Sequence, residues 1–215
     1  MLIFQAVSDK NEVVLVGYSG HGFVVAEAAI EAKHSPVFYT DIKRCALNPF
    51  ELTYIGFDGD DDFPGWNKGY QFILGIGDNK IRESIALKLL ARRETLLTII
   101  HPDSSLSKNI RIGSGVFISR HVSVNSFAEI GDFTILNTGA IIEHECKLGN
   151  AVHIAPGAVL AGNVEVGDRS FIGANAVVKQ GVKIGKDVIV GAGSVVIADI
   201  SDGKKLVGNP AKQIE

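Results

Sequence analysis

From Leu106 to Val196 every sixth residue of this chain is aliphatic, with no slip of phase. The column runs Leu106, Ile112, Ile118, Val124, Ile130, Leu136, Ile142, Leu148, Ile154, Leu160, Val166, Ile172, Val178, Ile184, Val190 and Val196. A period of six is neither the 3.6 of a helix nor the two of a half-buried strand. It is the period of a hexapeptide-repeat parallel β-helix, in which the chain winds round a triangular prism. Three hexads close one coil of 18 residues, so the column implies about five coils with no long loop inserted between them.

Two further slots of the repeat carry information. The position two before the column holds small or β-branched residues: Val116, Val122, Ala128, Thr134, Ala140, Cys146, Val152, Ala158, Val164, Ser170 and Ala176. These are expected to point inward beside the column, which makes Cys146 a packing residue rather than a nucleophile. The position just after the column is rich in turn formers, among them Gly113, Asn125, Gly131, Asn137, Gly149, Gly167, Gly173, Gly185 and Gly191. Because Gly and Asn tolerate positive φ, that slot reads as the corner of each prism face. Gly208-Asn209-Pro210-Ala211 is expected to end the repeat in a turn.

The first hundred residues follow a different grammar. Val13 to Gly17 reads as a short strand, Tyr18 to Gly22 as a glycine-rich turn and Phe23 to Ala32 as a helix. A second strand, Val37 to Thr40, ends at Asp41, and a third spans Gln71 to Gly75. The helix Lys80 to Arg92 and the apolar run Thr95 to Ile100 follow. Strands alternating with helices imply a small parallel sheet of the nucleotide-binding type. His101-Pro102 marks the boundary, dividing the chain into residues 1–101 and 102–215. The fold class expected is therefore an α/β Rossmann-like N-terminal domain followed by a parallel β-helix.

Composition narrows the function classes. A formal net charge of −3 supplies no electrostatic drive toward nucleic acid or an anionic membrane. Two cysteines, Cys45 and Cys146, make no disulfide framework and suit a reducing compartment. No run reaches the ~18 apolar residues of a membrane span. Met1 to Lys10 lacks the marks of a signal peptide, so a cytoplasmic location is expected. The acids Asp58, Asp60, Asp61 and Asp62, beside Gly59 and Pro64, read as a solvated loop rather than a cation site.

A regular solenoid needs no polar residue for its fold, so departures from its pattern are informative. The largest is Glu143-His144-Glu145, just after Ile142. Two acids flanking a histidine could raise its basicity or could form a solvated turn. His153 lies nine residues on, half a coil away, and Asn137 lies seven residues before His144. These spacings put His153 and Asn137 each too far from His144 to meet it within one prism. If they serve one site, that site lies between subunits, and closed cyclic symmetry is the usual arrangement.

The chain resembles the hexapeptide-repeat sugar acyltransferases, the family of bacillosamine-pathway and perosamine N-acetyltransferases and sialic acid O-acetyltransferases. The resemblance spans almost the whole sequence. It rests on Val16-Gly17-Tyr18-Ser19-Gly20-His21-Gly22, Gly75-Ile76-Gly77-Asp78-Asn79, Asn137-Thr138, Ile142-Glu143-His144-Glu145-Cys146, His153-Ile154-Ala155-Pro156-Gly157-Ala158 and Gly208-Asn209-Pro210-Ala211-Lys212. It implies a left-handed β-helix, a homotrimer, and acetyl-CoA bound between adjacent prisms, with no metal. By that resemblance His144 is the general base, Glu145 polarises it, and Asn137 of a neighbouring subunit orients it. His153 hydrogen-bonds the acetyl-CoA, and backbone amides near Ala174 and Ala192 hold its pantetheine arm. The N-terminal domain holds a nucleotide-linked amino sugar through Ser19, Gly20 and His21 at a helix N-terminus, with Asp41 on the ribose or base and Gly77 allowing close approach. Family members that take a uridine nucleotide often carry a second acid after the first; here that position is Ile42.

The implied reaction is N-acetylation of a nucleotide-linked amino sugar for glycan or O-antigen synthesis. O-acetylation of a sialic acid type sugar uses the same residues and is the nearest alternative. A zinc carbonic-anhydrase-like site would need His121, His144 and His153 as ligands, yet His121 and His144 are 23 residues apart rather than one coil. A non-catalytic scaffold leaves Glu143-His144-Glu145 unexplained. An NAD-dependent dehydrogenase is disfavoured because Gly17, Gly20 and Gly22 do not follow G-x-G-x-x-G.

Overall fold

A computed structural model describes residues 12–214. The signal-peptide question at Met1 to Lys10 falls outside the described residues. The N-terminal unit is β1 (Val13–Val16), α1 (Gly20–Glu31), β2 (Pro36–Thr40), β3 (Thr53–Tyr54), β4 (Gln71–Leu74), α2 (Asn79–Ala91) and β5 (Thr95–Leu96). All strands of its sheet are parallel, in the order β3-β2-β1-β4-β5. The strand order reverses between β1 and β4, and in such sheets ligands bind beyond the strand ends at that point. The two loops that open there are Gly17 to Ser19 and Gly75 to Asp78.

The apolar run Thr95 to Ile100 is divided between the two sheets. Thr95–Leu96 joins the N-terminal sheet, whereas Ile99–Ile100 (β6) pairs with Phe117–Ile118 as the first strand of the prism. The prism thus begins before the His101-Pro102 step. From β6 onward, two-residue strands pair in parallel with a constant offset of one coil, for example Ser123↔Ile141 and Ile135↔His153. They form three faces. The first carries Ile99, Phe117, Ile135, His153, Phe171 and Ile189 pointing outward, the second Ser123, Ile141, Val159, Val177 and Val195, the third Arg111, Glu129, Lys147, Glu165 and Lys183. The phase holds to Val196; in the last coil Ile189 pairs with Lys205, two residues short of the repeat. Lys205–Val207 and Lys212–Ile214 then close an antiparallel hairpin round Gly208 to Ala211.

The column and the small-residue slot fill the interior together. Ile118, Leu136, Ile142, Ile154, Leu160 and Ile172 are fully buried, as are Val122, Ala128, Ala140, Cys146, Val152 and Ala176. Each large aliphatic side chain removed from water contributes roughly 1.5–3 kcal/mol. Thr134 and Ser170 occupy the small slot by turning their hydroxyls onto the Gly149 and Gly185 carbonyls, so no buried polar group is left unmatched there.

The corner slot corrects one expectation. Positive φ falls three residues after the column, not one: His121, Phe127, Phe133, Gly139, Glu145, Ala151, Gly157, Asn163, Arg169 and Asn175 all adopt it. The glycines just after the column have another reason. A Cβ at Gly131 would meet the Gly149 carbonyl of the next coil, and one at Gly173 would lie 2.5 Å from the Ala192 nitrogen. The slot selects glycine for close approach of successive coils rather than for left-handed backbone. Asp58 departs as well. It is buried, with its carboxylate and backbone N–H both bonded to the Thr40 hydroxyl, while Asp60, Asp61 and Asp62 are exposed as expected.

Gly131→Ala is therefore expected to cost more than Gly139→Ala. The first sets a methyl against backbone, roughly 1–3 kcal/mol; the second enters open space at φ +69° and costs about 1 kcal/mol. Urea unfolding of the two variants would show the reverse order if φ were what selects glycine just after the column.

Candidate active site

At the N-terminus of α1 the helix is left open. Ser19 is its N-cap residue, yet its hydroxyl makes no capping bond, and Ser19 and Gly20 are exposed. By contrast α2 is capped by Asp78, whose carboxylate accepts from the Ile81 N–H at 2.9 Å. An uncapped helix start at the switch point of a parallel sheet presents free N–H groups and the positive end of the helix dipole, which suits a phosphate. Gly17 and Gly22 serve packing: a Cβ at Gly22 would strike the Gly17 carbonyl, so α1 can sit this close to β1 only without one.

Asp41 ends β2 as expected, but its carboxylate is already engaged. Oδ2 accepts from the Tyr18 N–H at 2.9 Å and Oδ1 from the Ile42 N–H at 2.7 Å. It stitches the loop after β1 to the end of β2 and keeps lone pairs to spare for a ligand.

His21, in the first turn of α1, faces the prism. Its ring lies 5.6 Å from Phe117 and 6.0 Å from His153, and its Nε2 is buried without a hydrogen-bond partner. Burial pushes its pKa down to about 4, with help from the nearby Arg82 cation. His153 stands outward on the first face but is covered by the N-terminal domain. Its Nδ1 lies 3.3 Å from the Gly77 carbonyl and its Nε2 lies 3.2 Å from Asn137 Nδ2. Burial, then Arg82 and His21, hold its pKa at about 3, so the ring is neutral at physiological pH.

Asn137 and His153 thus meet inside one chain. The expectation concerned their separation from His144, and within one chain both do lie away from it. Asn137 sits just past its strand, where the chain leaves the first face, and its side chain reaches the histidine one coil down.

His144 is elsewhere, past the second face at the corner leading to the third. It is half exposed, and Nδ1 lies 3.1 Å from the Glu145 carboxylate. Its ring rests on the next coil over Gly162: a Cβ there would lie 2.5 Å from His144 Nε2, so the imidazole keeps this position only while residue 162 has no side chain. Within one chain His144 and the His21–His153–Asn137 cluster therefore occupy different corners, and His121 sits exposed at the corner between first and second faces, one coil above Gly139. Ala174 and Ala192 stack on the corner between first and second faces, below Asn137. The coil ladder uses the amides one and three residues after the column, as in Gly173 N–H to Val190 O and Gly193 N–H to Ala174 O. The Ala174 and Ala192 amides between them take no part in that ladder, which leaves them for a ligand lying along the corner.

Residues 12–89 match the PglD N-terminal domain, and residues 163–198 the hexapeptide repeat of succinyl-transferase. The crystal structure of PerB from Caulobacter crescentus in complex with CoA and GDP-perosamine is 36% identical, with a TM-score of 0.90 over 95% of this chain and 98% of that one. The acetyltransferase domain of PglB from Neisseria gonorrhoeae is 32% identical, with a TM-score of 0.89 over 95% of this chain and all of that one. This chain belongs to the perosamine and bacillosamine N-acetyltransferase family. Its solenoid is accordingly a left-handed β-helix. A GDP-perosamine N-acetyltransferase of Escherichia coli is 36% identical over 76 residues, a match that spans about a third (34%) of that protein's length.

One residue of this family member's site was not foreseen. Arg82 on α2 is 1% exposed and reaches across to the prism, where its guanidinium bonds the Phe133 and Ala151 carbonyls at 2.7 and 2.9 Å. It also bonds the Gly77 carbonyl at 3.0 Å and Asn79 Oδ1 at 2.9 Å. Nothing in sequence marked it, because an arginine on a charged helix is ordinarily solvated. A second cluster, Glu31, His101 and Asp103, has metal-ligand residue types. His101 Nδ1 accepts from the Asp103 N–H, so the proton sits on Nε2, 2.9 Å from Glu31. Glu31 is also paired with Arg120, and the cluster joins α1 to the prism.

The buried neutral histidines make stability depend on pH. Their folded pKa values, about 4 for His21 and about 3 for His153, lie below the ordinary 6.5, so the unfolded chain takes up protons first as pH falls. Stability is full above pH 6.5 and declines toward pH 4, by at most roughly 3 kcal/mol per histidine. Urea unfolding at pH 7.5 and 4.5 should show this loss, and it should shrink in His153→Gln. Equal stability of the wild type at both pH values would contradict it.

Proposed function

We propose that this protein transfers the acetyl group of acetyl-CoA to the amino group of a nucleotide-linked amino sugar. The observation that carries the reading is His144. With Nδ1–H directed at Glu145, its Nε2 holds a free lone pair at an exposed corner cleared by Gly162. In this mechanism the sugar amine attacks the thioester carbonyl while Nε2 takes a proton from the nitrogen. The tetrahedral intermediate then collapses, the C–S bond breaks, and the proton passes to the departing CoA sulfur. Glu145 stabilises the imidazolium that forms between the two steps. No covalent acyl-enzyme is needed.

For the acceptor we favour a GDP-linked 4-amino sugar. Relatives that match nearly the whole chain hold GDP-perosamine together with CoA, and Ile42 stands where uridine-binding members often have a second acid. The diphosphate would lie at the open N-terminus of α1, at Ser19, Gly20 and His21, with Asp41 toward the nucleoside and Gly77 beside the sugar. CoA would run down the corner of Asn137, Ala174 and Ala192.

The active assembly in this reading is a homotrimer, and the three faces support it. The first is covered by the N-terminal domain. The third alternates charge, Arg111, Glu129, Lys147, Glu165, Lys183, with Arg111–Glu129 and Lys183–Glu165 paired at 3.4 and 3.1 Å. The second presents the apolar row Ile141, Val159, Val177 and Val195, on which none of the described elements packs. Turning three such faces toward one axis would bring the Asn137 and His153 corner of each protomer against the His144 corner of the next. Asn137 would then reach both histidines. Among the described residues no helix is long and apolar enough to cross a membrane; acetyl-CoA and nucleotide sugars are cytosolic metabolites, which supports a cytoplasmic location.

His144→Ala should lower kcat/KM for CoA release with GDP-perosamine about 10²–10⁴-fold while leaving assembly and unfolding unchanged. A folded variant with wild-type transfer would remove His144 as the base. Val177→Lys should yield monomers in sedimentation and lose transfer although His144 is intact. An active monomer would refute the intersubunit site.

A further inference from the structure

Arg82 is a buried cation for which the reaction above has no use. Among the described residues no carboxylate bonds its guanidinium; its partners there are carbonyls and the Asn79 amide oxygen. Removing a charge from water into such a site costs several kcal/mol before any compensation, and an apolar side chain could dock α2 on the prism more cheaply. The two loops it ties are informative. On one side it holds Ile76 O and Gly77 O, the loop after β4; on the other Phe133 O, Ala151 O and Val152 O, the prism backbone leading into the His153 strand.

Gly77 O is also the group that faces His153 Nδ1. At the other ring nitrogen, Asn137 is oriented by its neighbour: Oδ1 accepts from the Thr138 N–H at 2.8 Å, which turns Nδ2, a donor, toward His153 Nε2. A donor facing Nε2 and a carbonyl facing Nδ1 admit one neutral tautomer, with the proton on Nδ1.

We infer that Arg82 is a positioning residue that sets the tautomer of His153, by fixing the Gly77 carbonyl and the prism backbone on either side of the ring. The inference rests on the acetyltransferase reading for its consequence. With the proton held on Nδ1, Nε2 is an acceptor only: its one lone pair takes the Asn137 amide N–H in the free protein, it can take an amide N–H of the pantetheine arm if Asn137 gives way, and it cannot donate to the thioester carbonyl. The cation also opposes protonation of the ring, consistent with the low His153 pKa. Arg82 itself, at about 10, remains charged at neutral pH. One side chain thereby links the loop at the nucleotide-sugar side to a group at the acyl-donor side.

The test is ¹⁵N NMR of the imidazoles in the full chain without ligands, at pH 7. The wild type should show His153 neutral and protonated on Nδ1, an outcome that does not depend on any activity; a proton on Nε2 overturns the inference. In Arg82→Lys, which keeps the charge but loses the fork that reaches Gly77 and Phe133 together, His153 should become a mixture of tautomers. kcat/KM for acetyl-CoA should fall at least tenfold, with KM carrying more of the loss than kcat. If Arg82→Lys stays folded and keeps the Nδ1 tautomer with unchanged KM, Arg82 is only a structural tie. Should Arg82→Lys fail to fold, Asn79→Ala removes one guanidinium partner and should shift the tautomer in the same direction; no shift there overturns the inference. A wild type with the Nδ1 tautomer but no acetyl transfer would instead refute the proposed reaction and leave the tautomer assignment standing.

Discussion

The parallel ladder between coils is the constraint on which everything else in this chain rests. A pairing offset of one coil, held over successive turns, means that a residue's place in the hexad decides whether it faces core, solvent, corner or partner. The ladder binds amides one and three residues beyond each column position and none between. It therefore builds the core and leaves the amides between out of the ladder; neighbouring side chains take up some of them, as Asp132 does for Ser114, while those of Ala174 and Ala192 stay free of it. A cofactor with an extended amide-bearing arm can be held at such a corner without any dedicated side chain, so under the proposed function alanines at 174 and 192 would suffice there.

Docking of the N-terminal domain then breaks the symmetry of the prism. Arg82, Asn79 and the Arg169–Glu83 pair fasten α2, while Arg120–Glu27 and His101–Glu31 fasten α1. Once one face is covered, the remaining two differ only in their outward residues, and these are opposite in kind. Alternating charges on the third face keep it in water and discourage stacking of copies. The bare aliphatic row on the second has no such protection and is the face fit for association. Two histidines divide along the same line: His153 under the domain is desolvated and neutral, and His144 at the free corner stays wet.

Much of this was legible in the sequence because it is periodic or locally coded. The hexad column, the inward small slot and the alternation of strands and helices each follow from residue spacing, and α2 begins one residue before the expected Lys80. The glycines just after the column were found for the wrong reason. Sequence shows that a small residue is required, but not whether backbone sign or a neighbouring coil requires it, and Phe127 and Phe133 at φ near +60° show how far the ladder overrides intrinsic preference. The His144–Glu145 pair was visible because it interrupts a pattern. Arg82 was not, since its six acceptors are nearly all backbone groups brought together by docking. The strand Thr53–Tyr54 is two residues long and carries no signal of its own.

The division of histidines also bears on how a single fold could handle both protons and a thioester. A base must change charge during turnover, so it belongs where water and a carboxylate can stabilise the cation, and His144 has both. A group that only recognises a neutral amide gains from the opposite setting, because a fixed protonation state gives a fixed hydrogen-bond direction. Burial beside Arg82 supplies that for His153. If the two histidines exchanged surroundings, the buried one would resist protonation and the exposed one would present either nitrogen. Placing one at a corner free for a partner and the other beneath the docked domain lets each keep the environment its task requires, and association of prisms is what would bring the two to one substrate.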